Sequence, residues 1–197
     1  LHGIDYAIIP DRIEAGTYMI AAAITCGDVL IKESDPILLK PLIVKLEEAG
    51  VQIELEKDFI KVIGPERVKA VDIKTLPFPG FPTDMQPQFM ALACVAKGTS
   101  VITETVFEKR FVHTGDMIRM GADIKVEGHS AIVKGVKKLS AAPVMASDLR
   151  GGAALVLAGL VAEGTTELSR IYHLDRGYVK LKEKLNSLGA DIKRVKE

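Results

Sequence analysis

The amino-acid sequence predicts an inside-out α/β fold, in which three buried helices pack together at the centre and β-sheets lie outside them. Three observations lead to this prediction. One unit of strands and helices occurs three times, over approximately residues 4–64, 70–135 and 142–197. Each unit has one helix with no polar face and a second helix with a polar stripe. Since a helix that is apolar all round is buried on every side, three of them imply a shared helical centre with approximate threefold symmetry.

Within each unit the predicted order is strand, helix, strand, helix, strand, strand, the last strand being predicted only in the first two units. The first strands are YAII, VDIK and a weaker one near Val144. The apolar helices follow Asp11, Asp84 and Asp148, as in MALACVA and AALVLAGLVA. A middle strand comes next, in CGDVLIKE, KGTSVITE and EGTTELSR.

The striped helix of each unit ends at a glycine, which predicts a left-handed C-cap. These helices are LLKPLIVKLEEAG, TGDMIRMG and YVKLKEKLNSLG, and the glycines are Gly50, Gly121 and Gly189. Alternating segments follow as strands: VQIEL, ADIKV and ADIKR, with a second hairpin strand in FIKVIG and AIVKG.

Composition narrows the function classes. The chain has 197 residues, 26 basic and 26 acidic, so its formal net charge of zero offers no general attraction for nucleic acid or an acidic membrane. Its two cysteines do not form a disulfide framework or a metal motif, and we interpret both as core residues. No apolar run is long enough for a membrane span, and we expect a cytoplasmic protein.

Because the net charge is zero, any anion-binding site must come from a local group of residues. If the three central helices are parallel, their N-termini converge, and each end has unpaired N–H groups and a partial positive charge. Asp84 and Asp148 lie where N-caps belong, so one interpretation is that they only cap helices. The alternative is that the converged ends form an anion-binding floor.

Arginines occur near these predicted helix ends. Arg12 and Arg150 lie at the first and third helix starts, and Arg110 and Arg176 follow the middle strands of the second and third units. Arginine suits bidentate binding of carboxylate and phosphate. An ionised Asp84 beside them would be able to accept a proton from a bound hydroxyl.

The motifs PTDMQPQF, TETVFEKRF, MASDLR, VLAGLVAEGTT and RIYHLDRGY give the whole chain a resemblance to a known family. It resembles the UDP-N-acetylglucosamine 1-carboxyvinyltransferases, the MurA group of enolpyruvyl transferases. That resemblance implies an inside-out α/β barrel of three βαβαββ repeats, forming the second of two domains with the active site between them. It also implies transfer of enolpyruvyl from phosphoenolpyruvate to the 3-hydroxyl of UDP-N-acetylglucosamine in peptidoglycan precursor synthesis, with no cofactor or metal.

The same resemblance implies roles for individual residues. Asp84 would contact the sugar 3-hydroxyl and serve as the base, and Val106 would hold the sugar nucleotide through its backbone. Arg150 and Arg176 would bind the carboxylate of phosphoenolpyruvate. The remaining residues implied are Arg110 and Arg12, lining the cleft, and Asp148, as a catalytic acid or as an acid that supports the residues contacting substrate.

The chain also departs from the family pattern. A flexible loop with a catalytic Cys or Asp and a lysine near the N-terminus have no match here, the chain begins at Leu1, and its third unit stops after ADIKRVKE. We therefore expect a fragment that corresponds to the C-terminal domain, needs the N-terminal domain as its partner, and is inactive alone. Two other readings stay open: a 5-enolpyruvylshikimate-3-phosphate synthase-type transferase, and a non-catalytic repeat scaffold that binds a protein partner.

Overall fold

The computed structural model describes residues 2–57 and 59–195. Its first unit contains α1 (Arg12–Ile24), β1 (Asp28–Lys32), α2 (Pro36–Glu48), β2 (Gln52–Leu55) and β3 (Phe59–Ile63). Its second unit contains β4 (Ile73–Lys74), α3 (Gln86–Val95), β5 (Thr99–Thr103), α4 (Thr114–Arg119), β6 (Asp123–Glu127) and β7 (Ser130–Lys134). The short strand β8 (Leu139–Ser140) lies between the second and third units, and the third unit contains β9 (Pro143–Met145), α5 (Leu149–Val161), β10 (Ala162–Glu163), β11 (Glu167–Ser169), α6 (Tyr172–Asp175) and α7 (Leu181–Ser187).

The central helices α1, α3 and α5 pack against one another, as predicted. Met19, Met90 and Ala154 are fully buried, one on each helix. The carboxyl ends of the three helices meet at a small cavity whose lining includes Ile24, Val95 and Val161. The helices therefore run in the same direction, and their amino ends face the opposite side of the molecule.

The strands lie outside this helical centre. One sheet has the antiparallel order β1-β3-β2, and another has the order β4-β5-β7-β6, with β4 parallel to β5. Within the third unit β9 pairs with β11, and β10 of that unit pairs with β8, both in parallel. Exposed residues alternate with partly buried ones in β1 and with buried ones in β5, so one face of each strand covers the helices. The inside-out arrangement is confirmed, although the sheets of the described residues stay separate and do not close into one barrel.

The glycine C-caps are also confirmed. Gly50, Gly121 and Gly189 have φ of 91°, 88° and 103°, in the region where a side chain would be strained. None of the described helices is long and apolar enough to cross a bilayer.

Two predicted strands are wrong. Residues 2–10 are irregular, and Ile4 and Ile8 are 84% and 89% exposed. The last predicted strand, in ADIKR, is irregular through residue 195. YAII is an apolar run of strand length and ADIKR has the alternation of a strand, but a strand also needs a neighbour for its backbone N–H and C=O groups, and neither segment pairs with a strand of the described chain.

Candidate active site

The aspartates at the amino ends of the central helices have two different roles. Asp11 and Asp148 are N-caps: Asp11 accepts hydrogen bonds from Ile13 and Glu14 N–H, and Asp148 from Arg150 and Gly151 N–H. Asp84 lies in the 3₁₀ turn Thr83–Met85 that leads into α3, and its side chain caps no helix.

Asp84 is instead shared by two arginines. Its Oδ1 accepts a hydrogen bond of 2.8 Å from Arg110 Nη2, and its Oδ2 lies 3.4 Å from Arg150 Nη2. The carboxylate is 40% exposed, whereas the arginine side chains are only 10% and 15% exposed. The acid therefore faces solvent from a floor of nearly buried guanidinium groups.

Arg110 is held in place on several sides. Its Nε donates to Thr83 Oγ1 at 3.1 Å, so the guanidinium group spans two successive residues of the 3₁₀ turn. Its Cζ lies 4.7 Å from the centre of the Phe107 ring, within cation–π range. The Arg110 carbonyl accepts a hydrogen bond from His113 Nδ1. This arginine is thus preorganised before any ligand binds.

Arg150 has fewer contacts than Arg110 to hold its guanidinium group. It lies in the first turn of α5, and its Cζ is 5.7 Å from the centre of the Tyr178 ring. Its Nη1 is buried and has no hydrogen-bond partner among the described residues. Buried donors are almost always paired, so the unpaired Nη1 and the long contact to Asp84 indicate an arginine with capacity for an anionic ligand.

Asp148 supports this arginine through the backbone. Burial by itself raises the pKa of Asp148, but hydrogen bonds from the N–H groups of Gly151 and Arg150 and from the Ser147 hydroxyl lower it, and the pKa lies below its usual value. The two glycines of DLRGG have a packing role, because a Cβ on Gly151 would lie 3.0 Å from His113 Cβ.

The sequence analysis gave no role to His113, which the structure buries completely beside this group. Burial lowers the pKa of His113 to about 4, although nearby Asp148 and the hydrogen bond to the Arg110 carbonyl raise it. The imidazole is therefore neutral at pH 7, with its proton on Nδ1, which donates to Arg110. No spacing in the sequence indicated this contact.

An open cavity of about 440 Å³ joins the candidate residues. It is lined by Asp84, Arg110, Asp148, Leu149, Arg150, His173 and Arg176. The cavity thus unites both predicted acids with three of the four predicted arginines. Its size and its balance of cations and acids suit a small, highly charged anion.

Two predicted residues lie outside the lining of this cavity. Arg12 packs its guanidinium group 5.0 Å from the centre of the Phe78 ring. Val106 is exposed, and its N–H donates to Glu104 Oε1 at 2.8 Å, which leaves its carbonyl as the backbone group able to bind a ligand.

No role was predicted for Glu104 from the sequence. The alternation of buried and exposed residues in β5 indicates that Glu104 is buried. Ser100 and Ile102 are fully buried, and Glu104, the next residue in the same alternation, is only 2% exposed.

The sequence and the fold of this chain have counterparts among known proteins. The sequence profile of the EPSP synthase family (3-phosphoshikimate 1-carboxyvinyltransferase) matches residues 1–185. A UDP-N-acetylglucosamine 1-carboxyvinyltransferase of Geobacter metallireducens is 61% identical over 96% of this chain and 46% of its own length. Another, from Trichlorobacter lovleyi, is 62% identical over 98% of this chain and 46% of its own. The chain spans about half the length of the curated relatives it matches.

Solved structures with the same fold include the enolpyruvyl transferase NikO from Streptomyces tendae, with a TM-score of 0.85 and 29% identity over 94% of this chain and 44% of that one. EPSP synthase from Acinetobacter baumannii has a TM-score of 0.77 and 20% identity, covering 93% and 46% of the two chains, and shares the fold. The resemblance drawn from the sequence motifs is confirmed, and the chain belongs to the EPSP synthase family of enolpyruvyl transferases.

Proposed function

We propose that this chain forms one wall of the active site of a two-domain transferase. The enzyme moves enolpyruvyl from phosphoenolpyruvate to the 3-hydroxyl of UDP-N-acetylglucosamine and releases phosphate. Residues 1–197 are one domain in this proposal, with repeats over 4–64, 70–135 and 142–197, and a second domain closes over the cavity. A cytoplasmic location, without nucleic-acid or membrane partners, belongs to the same proposal.

One observation carries the reaction class: Asp84 is presented to solvent between Arg110 and Arg150 in a cavity that also contains Arg176. Phosphoenolpyruvate has a carboxylate and a phosphate, and arginines bind both groups bidentately. We assign its carboxylate to Arg150 and Arg176. The long contact between Arg150 and Asp84 is easily exchanged for a contact with this ligand.

In the proposed reaction Asp84 accepts the proton of the sugar 3-hydroxyl as that oxygen adds to C2 of phosphoenolpyruvate, while a general acid of the complementary domain gives a proton to C3. The conjugate base of that acid then takes a proton from C3 as phosphate leaves C2, which restores the double bond, and Asp84 passes the hydroxyl proton to the departing phosphate or to solvent. Arg110 and Arg150 stabilise the charge of the tetrahedral intermediate from fixed positions. Asp148 keeps the first turn of α5, and with it Arg150, in place.

The acceptor is assigned from the relatives. Those at 56–62% identity carry the name UDP-N-acetylglucosamine 1-carboxyvinyltransferase, whereas the EPSP synthase structures are 20% identical. In this assignment the Val106 carbonyl binds the sugar nucleotide, and Arg12, beside Phe78, lies at the margin of the cleft.

Complementation would test the proposal. We would co-express this chain with the complementary half of the Geobacter metallireducens relative and measure phosphate release from phosphoenolpyruvate plus UDP-N-acetylglucosamine. We expect turnover from the complemented enzyme and none from the chain alone. Turnover only with shikimate 3-phosphate would favour the rival transferase, and turnover by the isolated chain would show that this half suffices.

The variant Asp84→Asn separates a base from a structural residue. We expect kcat of the complemented enzyme to fall about 100-fold or more, because a general base contributes roughly that much. Asp72→Asn is the matched control, since Asp72 is an exposed carboxylate that accepts a hydrogen bond from Val101 N–H of β5. An unchanged kcat in Asp84→Asn would favour the non-catalytic scaffold.

A further inference from the structure

Glu104 is a buried carboxylate directly behind the candidate active site. It follows β5 and is 2% exposed, and none of the described residues forms a salt bridge with it. A buried charge without an ionic partner is costly unless hydrogen bonds replace its hydration. The hydrogen bonds that Glu104 makes should therefore show which parts of the site its burial holds in place.

Four donors surround this carboxylate. Its Oε1 accepts from Thr75 Oγ1 at 2.7 Å, from Val106 N–H at 2.8 Å and from Phe107 N–H at 2.9 Å. Its Oε2 accepts from Thr83 Oγ1 at 2.9 Å. One oxygen therefore holds the loop that presents Val106, and the other holds the 3₁₀ turn that presents Asp84.

The bond to Thr83 determines the direction of the next one. A carboxylate only accepts hydrogen bonds, so the Thr83 hydroxyl proton points at Glu104 and the lone pairs of its oxygen remain for Arg110. Arg110 Nε donates to that oxygen at 3.1 Å, and Arg110 Nη2 donates to Asp84 Oδ1 at 2.8 Å. Glu104, Thr83, Arg110 and Asp84 thus form one directed chain of hydrogen bonds.

The other oxygen acts on the same arginine through Phe107. Glu104 fixes the backbone of Phe107, whose ring lies against the Arg110 guanidinium group. The Phe107 carbonyl also accepts a hydrogen bond of 3.1 Å from Arg110 N–H. Both oxygens of Glu104 therefore restrict where Arg110 and its partner Asp84 can lie.

We propose that Glu104 is a positioning residue that orients Asp84 through Thr83 and Arg110. This inference rests on the proposed function, in which Asp84 is the base. A hydrogen-bonded base must sit within a fraction of an ångström of its proton, and misplacement by about 1 Å can cost roughly 100-fold in rate. Glu104 touches no reacting atom in this scheme.

Glu104→Gln tests the relay selectively. The amide oxygen can replace Oε1 and keep the three donors on the Val106 side, which places the NH₂ group toward Thr83. That group donates to the Thr83 hydroxyl and competes with Arg110 for its lone pairs. In the complemented enzyme we expect kcat to fall about 10- to 100-fold. The KM values for both substrates should stay near wild type, since Arg150, Arg176 and the Val106 loop are untouched.

Companion variants separate positioning from folding. Thr83→Val removes the relay hydroxyl and should reproduce the loss in kcat, while Thr83→Ser keeps the hydroxyl and should restore it. The double variant of Glu104→Gln and Thr83→Val should lose no more than either single variant, because both break one chain. Asp72→Asn is the carboxylate control and should keep the wild-type kcat.

A spectroscopic readout keeps this inference distinct from the proposed function. In the chain itself the Arg110 Nε–H proton should exchange slowly with solvent, and Glu104→Gln and Thr83→Val should speed its exchange in NMR spectra, whereas Thr83→Ser and Asp72→Asn should not. Exchange unaltered by Glu104→Gln, or a kcat unaltered by it in an active enzyme, would overturn the relay. A wild-type enzyme with no transferase activity but a protected Arg110 proton would instead refute the proposed function.

Discussion

The two ends of the central helices both carry arginines, but they use them in opposite ways. At the carboxyl ends Arg67 donates to the Val95, Ala96 and Val136 carbonyls at 2.9, 2.9 and 3.0 Å. At the amino ends Arg110 and Arg150 converge on one carboxylate, and Arg150 keeps a buried donor without a partner among the described residues.

Helix electrostatics explains why the two ends differ. A cation near a helix C-terminus is stabilised by the helix dipole, whereas a cation in the first turn is opposed by it, each by about 0.3–1 kcal/mol. Arg67 therefore lies where an arginine contributes to stability. Arg150 lies where an arginine reduces it, so its position is better explained by an anion that binds there.

The largest expected effect concerns Arg150. In the complemented enzyme Arg150→Met should lower kcat/KM about 100- to 1000-fold, because it removes a preorganised donor for the charge of the intermediate. Methionine keeps much of the side-chain length over the Tyr178 ring. Steady-state kinetics with both substrates would measure the change.

Arg67→Met is the matched control from the opposite end. It should leave kcat/KM near the wild-type value and lower the free energy of unfolding by about 1–2 kcal/mol, since three carbonyls lose their donor. If Arg67→Met lowered kcat/KM as strongly as Arg150→Met without loss of stability, the two arginines would not have the different roles inferred for them.

The second prediction concerns His113, the neutral imidazole at the amino end. Burial lowers its pKa to about 4 in the folded chain, against an ordinary value of 6.5. Between these values the unfolded chain binds a proton that the folded chain does not. The contribution of His113 is therefore fully present above pH 6.5 and is lost as pH falls toward 4, amounting to about 2 kcal/mol of unfolding free energy between pH 7 and pH 5.

Urea unfolding at pH 7 and pH 5 would measure this loss. His113→Asn is the appropriate variant, because its amide can still donate to the Arg110 carbonyl but does not titrate in this range. We expect the difference between the two pH values to shrink by about 2 kcal/mol in the variant. Equal pH dependence in both proteins would show that the imidazole is already charged or accessible in the folded state.

Some features of the helical centre and its amino end could be predicted from the sequence, and others could not. Apolar helices and glycine C-caps are local patterns, so the buried centre and the left-handed Gly50, Gly121 and Gly189 were predictable. The pairing of Asp84 with Arg110 and Arg150 depends on segments far apart in the chain, and only the repeat and the family motifs brought them together. Residues 6–9 have the apolar, β-branched character of a strand, but residue type contains no information about the neighbour that a strand requires.

Other features of the site could not be predicted from the spacing of residues along the sequence. Arg12 begins a central helix as predicted, yet its side chain packs on Phe78 from a different loop. His113 became recognisable only once the turn Arg110–His113 was seen against the start of α5, where Gly151 leaves room for it. Glu104 is the exception, since extending the alternation of β5 by one step would have identified it as buried.

The smallest expected effect distinguishes the two aspartates of the amino end. Asp148→Ala should lower the free energy of unfolding by about 1 kcal/mol, because α5 loses its N-cap, and Asp148→Asn should restore most of that loss because asparagine caps about as well. Asp84→Ala should change stability less, since Asp84 caps no helix and a partly exposed ion pair contributes about 0–1 kcal/mol. Thermal and urea unfolding of the variants would measure both. If Asp84→Ala were the more destabilising, its carboxylate would be part of the fold, and the contrast between a capping acid and an acid held ready for a ligand would fail.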